Sequence, residues 1–312
     1  MKRKNANINR MMEKLVAAVM IMIMTMAVGM TACGGGSFDL DKEINQAAEW
    51  VMEAFPSPGV GSVGGDWAVK GVSASGIEND SLGEYFERYY DDVRVNTKQS
   101  EGIIDEFYYT GNARVVIGVE SVGKDSTDVE GYNLVEPLDN YKKVTDQGIN
   151  AAAYALIASN VADADLENEE NYIKFILDEA ESNKLYEKTD KADYAAIVIE
   201  GLSFYDDREE VKEMIEKCIG CLSEAQLEDG SLGNCESTAE AIMALTCAGV
   251  DQMSDERFVK DGKTLIDGLM LYKAKDGYLH MADDEETDYM SAEKALLALS
   301  SVKLLQQGET LY

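Results

Sequence analysis

From Asp39 onward the chain alternates between two apolar patterns. Segments such as INAAAYALIAS (149–159), DYAAIVIEGLSF (193–204), TAEAIMALTCAGV (238–250) and SAEKALLALSSV (291–302) are apolar nearly all the way round a helix. Such helices are buried on every side. Between them lie DKEINQAAEWVMEAF (41–55), ENYIKFILDEAESNKLY (170–186), REEVKEMIEKCIGCLSEAQ (208–226) and ERFVKDGKTLIDGLMLY (256–272). These carry one apolar and one charged face, the pattern of half-buried helices. Strand-like alternation is scarce, and only three prolines, Pro56, Pro58 and Pro137, interrupt the chain. The pattern predicts an all-α protein.

A small residue followed by an aliphatic one recurs late in each fully apolar segment. The pairs are Gly71-Val72, Gly118-Val119, Ala155-Leu156, Gly201-Leu202, Ala244-Leu245 and Ala298-Leu299, spaced by 47, 37, 46, 43 and 54 residues. A period of this size signals a repeat architecture. Four residues after each aliphatic stand Gly76, Gly123, Asn160, Asp206, Gly249 and Lys303. Gly and Asn best tolerate the left-handed residue that ends a helix. Six buried helices alternating with six half-exposed ones predict an inner ring within an outer ring, an (α/α)6 toroid over 39–312. An open solenoid is the alternative.

The first 32 residues follow other rules. Residues 1–14 are basic, residues 15–30 carry no charge, and Met30-Thr31-Ala32-Cys33 follows. This is the layout of an export signal, and sixteen apolar residues fall short of the roughly 20 a spanning helix needs. The run into Cys33 resembles a bacterial lipobox. That resemblance implies cleavage of 1–32, lipid on Cys33 and a location on the outer side of a cell membrane. Residues 33–38, with Gly34-Gly35-Gly36-Ser37, read as a flexible tether.

The toroid reading gains from particular residues. Gln226-Leu227-Glu228-Asp229-Gly230-Ser231-Leu232-Gly233, followed by Glu236-Ser237-Thr238-Ala239, resembles the repeat of the prenyltransferase and squalene-cyclase toroid superfamily. Asp276-Gly277-Tyr278-Leu279 with Ser291-Ala292-Glu293-Lys294-Ala295-Leu296 repeats it. Gly111-Asn112-Ala113-Arg114, Gly131-Tyr132-Asn133-Leu134 and Gln147-Gly148-Ile149-Asn150 resemble exported bacterial members of that superfamily, which are related in fold to cobalamin carriers. The resemblance implies a fold and makes a corrinoid the first specific ligand to test. Function, however, resides in sites and not in folds.

The chemistry of the superfamily's enzymes is not visible. Their zinc site needs Asp, Cys and His, and the chain has one histidine, His280, in an acidic loop, where solvation is the simple reading. The cyclase Asp-x-Asp-Asp motif is missing; Asp163-Ala164-Asp165-Leu166 is nearest. It reads as helix capping, as does Asp206-Asp207-Arg208-Glu209-Glu210. Cys218-Ile219-Gly220-Cys221 lies within a helix and lacks a redox context. No catalytic residue, metal site or cofactor is assigned. The net charge is −31, from 28 basic and 59 acidic residues. Loss of residues 1–32, which carry a net +4, takes it to −35. Nucleic acid is excluded as a partner by repulsion; contact with a membrane is expected through the lipid on Cys33. Eight of the fifteen methionines fall in 1–32, so Met richness belongs to the signal.

The repeat register places one end of each inner helix at a common mouth. Trp67, Tyr109, Arg114, Asn150, Tyr194, Glu236, Thr238 and Tyr289 are the candidate ligand residues there. Arg114 calls for an acidic partner, with Glu236 or Glu293 across the barrel as candidates. The leading expectation is a lipid-anchored extracytoplasmic binding protein for a small hydrophobic or corrinoid ligand or a surface protein. A cyclase-like or carbohydrate-active enzyme and a structural envelope module without a ligand are the alternatives.

Overall fold

The computed structural model describes residues 38–312; the expected signal segment, the expected lipidation site Cys33 and the Gly34–Ser37 stretch lie outside the described residues. Within them the protein is predominantly helical, with twelve α-helices and one two-stranded hairpin. Six helices hold the fully apolar segments: α2 (Trp67–Ser75), α4 (Tyr109–Ser121), α6 (Ile149–Val161), α8 (Ala192–Leu202), α10 (Cys235–Cys247) and α12 (Tyr289–Gln306). Each packs on the next, and α12 packs back on α2, so the contacts form a circuit. All six small-aliphatic pairs fall inside these helices and are buried.

The amphipathic helices lie outside this set. Helix α1 (Leu40–Ala54) packs on α12 and α2, α7 (Glu169–Ser182) on α6, and α9 (Glu209–Ala225) on α8. They are unequal in length: α3 (Leu82–Ser100) has 19 residues, whereas α5 (Tyr141–Thr145) has five and α11 (Leu265–Met270) six. The continuous helix expected over 256–272 is corrected here. Asp261 and Gly262 adopt positive φ, and Lys260 and Lys263 pair across them. A turn therefore splits the segment, and helix restarts at a capping box in which Thr264 and Asp267 bond each other's backbone, satisfying two orphan donors. The hairpin follows, β1 (Lys273–Ala274) and β2 (Gly277–Tyr278), antiparallel with Lys273 opposite Tyr278.

Three of the six expected helix-ending positions, Gly76, Gly123 and Gly249, are left-handed. Asn160 is not. Helix α6 continues past it, and Asp163 takes the left-handed turn, so Asp163 does not cap α7 as the sequence suggested. Asn168 precedes α7, and its amide and side chain bond Asp139. Lys303 lies within α12, which runs on until the left-handed Gly308. Asp206 and Asp207 likewise precede α9, whose first-turn acids are Glu209 and Glu210.

Small residues set how closely the apolar helices approach. A Cβ on Gly201 of α8 would come 2.7 Å from the Cβ of Ala153 on α6 and 2.9 Å from its Cα. Gly220, on α9, has nothing within 4 Å of the same position. Replacing a helical glycine by alanine gains about 1 kcal/mol of helix propensity, whereas overpacking a core costs about 1–3 kcal/mol. Gly201→Ala is therefore expected to lower the urea midpoint and Gly220→Ala to raise it. Equal gains for both would show that α6 and α8 are not in close contact.

Candidate functional site

The chain enters α2 through a kinked turn, Ser62–Asp66, in which Val63, Gly64 and Gly65 leave helical geometry. Gly64 has φ +74, and a Cβ there would strike the Phe55 ring at 2.6 Å, so glycine is required twice over. Side chains from three other helices hold the turn. Glu293 of α12 accepts from the Gly64 amide at 2.7 Å. Tyr89 of α3 donates to Asp66 Oδ1 at 2.8 Å. Arg114 of α4 pairs with Asp66 Oδ2 at 3.5 Å. The expected partners of Arg114 across the barrel are thereby corrected to Asp66, which lies one helix away in the circuit.

Asp66 and Glu293 are each 1% exposed. Burial pushes both carboxyls up to about 7, against the opposing pull of Tyr89 and Arg114 on Asp66 and of the Gly64 amide on Glu293. Beyond them, Lys294 bonds Glu240 at 2.7 Å and stands 4.9 Å over the Trp67 ring, which meets Tyr154 at 5.7 Å. Burial pulls the Lys294 ammonium down, but Glu240, Tyr154 and Glu200 together lift it above the ordinary lysine value. Glu200 is fully buried and neither carboxylate oxygen has a hydrogen-bond partner. Desolvation, with Glu240 adding to it, holds this carboxyl well above the usual range. Lys70, lowered to about 8 by burial, stands 5.5 Å over the Tyr312 ring.

The candidate ligand residues divide. Trp67, Tyr109 and Thr238 are buried. Thr238 Oγ1 donates to the Asn234 carbonyl and accepts from the Leu232 amide, so it shapes the turn before α10. The Tyr109 amide donates to Gln147. Asn150, Tyr194 and Tyr289 are exposed. The candidate residues thus differ in burial from one inner helix to the next. Tyr289 meets Trp50 at 5.8 Å and Phe55 at 5.0 Å.

Glu236 has a partner that sequence reading missed. Its Oε2 lies 2.7 Å from His280 Nδ1, and its Oε1 accepts from the Ser291 hydroxyl. His280 is therefore not merely solvated. The Cys235 amide also bonds the His280 carbonyl. A separation of 44 residues hides this pairing; the signal available was a single histidine two residues after Gly277–Tyr278. The hydrogen bond that His280 donates to Glu236 raises the His280 pKa, and Asp284 and Asp288 add to it. The described cysteines Cys218, Cys221, Cys235 and Cys247 are free thiols, and all but Cys247 are buried. Among the described residues no group of three or more His, Cys, Asp or Glu is placed to hold a metal ion, and no helix is long and apolar enough to cross a membrane.

No protein-family model matches the chain, and no curated protein is significantly similar to it.

Two predictions follow from the titrating groups. Between about pH 4 and 7 the folded chain keeps protons on Asp66 and Glu293 that the unfolded chain has released, so stability falls as pH rises, by on the order of a few kcal/mol per group. Glu130 and Glu170 are held low by their Lys98, Arg94 and Arg208 partners, and that contribution is lost below the ordinary carboxylate range. The melting temperature should peak near pH 5 and be lower at pH 7.5. Glu293→Gln keeps an acceptor for Gly64 and should flatten the slope; a midpoint that climbs from pH 5 to 7.5 contradicts the assignment. For His280, an NMR titration should give a pKa above that of free histidine, falling toward it in Glu236→Gln. The His280 contribution is present at low pH and fades as pH rises through its folded pKa. An unchanged titration in that variant removes the pair.

Proposed function

We propose that the six apolar helices form the inner ring of an (α/α)6 toroid, and that the protein is a lipid-anchored extracytoplasmic binding protein that takes its ligand or protein partner at the mouth where those helices begin. The circuit of contacts from α2 to α12 and back supports the ring. The resemblance of Met30-Thr31-Ala32-Cys33 to a lipobox supports the anchor.

One observation carries the binding reading. Thirteen large hydrophobic residues are exposed among the described residues, and eight of them lead into or begin an inner helix: Val63, Phe107, Tyr108, Tyr194, Leu227, Met281, Tyr289 and Met290. Phe107 and Tyr108 are the most open, at 79% and 67%. Scattered exposed apolar residues are ordinary; their concentration near the starts of one set of helices supports reading that end as an interaction surface. Catalysis has less support, because Asp66, Glu293 and Glu200 are enclosed, which leaves Asp193 at the start of α8 as a raised carboxyl open to solvent. The strong negative charge disfavours polyanionic partners.

The test is thermal unfolding of the intact protein in detergent with cobalamin and with farnesyl and geranylgeranyl alcohols. A ligand at a hundred times its Kd adds about 2.7 kcal/mol, a readable shift. The shift should vanish in Tyr108→Ala/Tyr194→Ala. In parallel, a photocrosslinker at position 108 on cells should capture a discrete protein if the partner is a protein. No shift with any compound, together with no discrete crosslink, removes the reading.

A further inference from the structure

The described chain starts at one end of the molecule, and the exposed aromatics of the mouth stand at the other. We propose that a lipid on Cys33 holds the mouth facing away from the anchoring membrane, so that what docks there arrives from outside that membrane and is not drawn from its lipids. This inference rests on the anchored, mouth-binding reading above and adds the direction from which the partner comes.

Helix α1 runs against α12. At its start Asp41 pairs with Lys303 at 2.9 Å, and Phe38 lines one groove with Gln306 and Gln307 at the end of α12. At its other end Phe55 packs at 5.0 Å on Tyr289, the first residue of α12. Phe38 and Tyr289 are therefore separated by the length of α1. The starts of the apolar helices gather at the Tyr289 end. Gly64, before α2, bonds Glu293 of α12. Glu236 at the start of α10 accepts from Ser291 of α12. Arg114 of α4 pairs with Asp66 before α2, and Gln147 before α6 accepts from the Tyr109 amide at the start of α4. The exposed Tyr108, Tyr289 and Met290 belong to this end.

Two lengths then set the orientation. Phe38 follows Cys33 by five residues, and even a fully extended chain of that length spans at most about 18 Å. Helix α1 has 15 residues and rises about 22 Å. With the mouth laid on the bilayer, Phe38 would stand at least the length of α1 above the surface, farther than the tether reaches. The lipid adds no reach, because each CH₂ drawn out of the hydrocarbon costs about 0.8 kcal/mol. With the Phe38 end toward the bilayer, the tether need not stretch at all. A lipid of the same membrane would have to leave the bilayer and pass the whole of α1 to meet Tyr108 or Tyr289, whereas a molecule outside the membrane meets them first.

The experiment uses the full chain, exported by a bacterial host and placed in lipid nanodiscs. A fluorescent amino acid is put at position 307 in one sample and at position 108 in another, and the nanodisc lipids carry a headgroup acceptor of short Förster distance. Intact-mass measurement first shows whether Cys33 carries lipid. A chain without it removes the anchored reading and this inference together. In the lipidated protein, donor fluorescence should be lost to the acceptor more at 307 than at 108. Lengthening the tether by about twenty Gly/Ser residues after Ser37 lets it span on the order of 25 Å as a coil, and the difference between the two positions should narrow. Equal losses at 307 and 108, or a larger loss at 108, overturn the orientation while leaving the anchor in place. A difference that the longer tether leaves unchanged also overturns it, since the tether would then not be its cause.

Discussion

A helix with no polar face must be covered all the way round, and six such helices in one chain constrain everything else in this protein. They cannot lie as a flat layer, since the two outermost would keep a bare side. Packing α12 back onto α2 removes both bare sides at once. The approach is close because glycine and alanine occupy the contacts: Gly71 faces Leu296, Gly118 faces the Tyr89 hydroxyl and Gly201 faces Ala153. Larger residues at these positions would force the helices apart and reopen the gaps the arrangement closes.

Enclosure has an electrostatic consequence. The chain carries an excess of 31 negative charges, but the few acids placed among the apolar helices do not behave as surface carboxylates. Asp66, Glu293 and Glu200 are all pushed upward, with burial the largest cause in each case. Lys294 and Glu240 form an ion pair between two of these helices, with the Lys294 ammonium over the Trp67 ring. The interior is thus nearly neutral and the surface strongly acidic. Asp66 and Glu293 are committed to the turn before α2 and Lys294 to Glu240, whereas Glu200 is enclosed without a hydrogen-bond partner.

Much of this was legible in the sequence because it depends on short-range pattern. The six apolar helices and their small-aliphatic pairs follow from periodicity alone, and Gly76, Gly123 and Gly249 end helices as glycine permits. What could not be read depends on contacts across the chain or on competition between local signals. The 256–272 segment has helical periodicity, but Asp261-Gly262 forms a turn that the pattern does not report. Arg114 needed an acid, and the geometry of a kinked turn supplied Asp66 in place of Glu236 or Glu293. Glu236 instead faces His280, 44 residues away. The candidate mouth residues also differ in burial, Thr238 being fully buried and Tyr194 40% exposed, which the apolar pattern does not report.

The aromatic residues near the start of α12 connect the two levels. Phe55 fills the space that Gly64 leaves by lacking a Cβ, and Tyr289 packs on Phe55 and Trp50 together. Immediately behind them the Gly64 amide bonds Glu293. Burial is the largest cause raising the Glu293 carboxyl to about 7, and Gly64 ties that carboxyl to the ring cluster: its amide bonds Glu293, and its missing Cβ leaves room for the Phe55 ring. Phe55 and Trp50 both pack on Tyr289, which stays 52% exposed. Tyr289 is therefore held by the fold and not left over from it, since an aromatic ring is a rigid body with few rotamers to order.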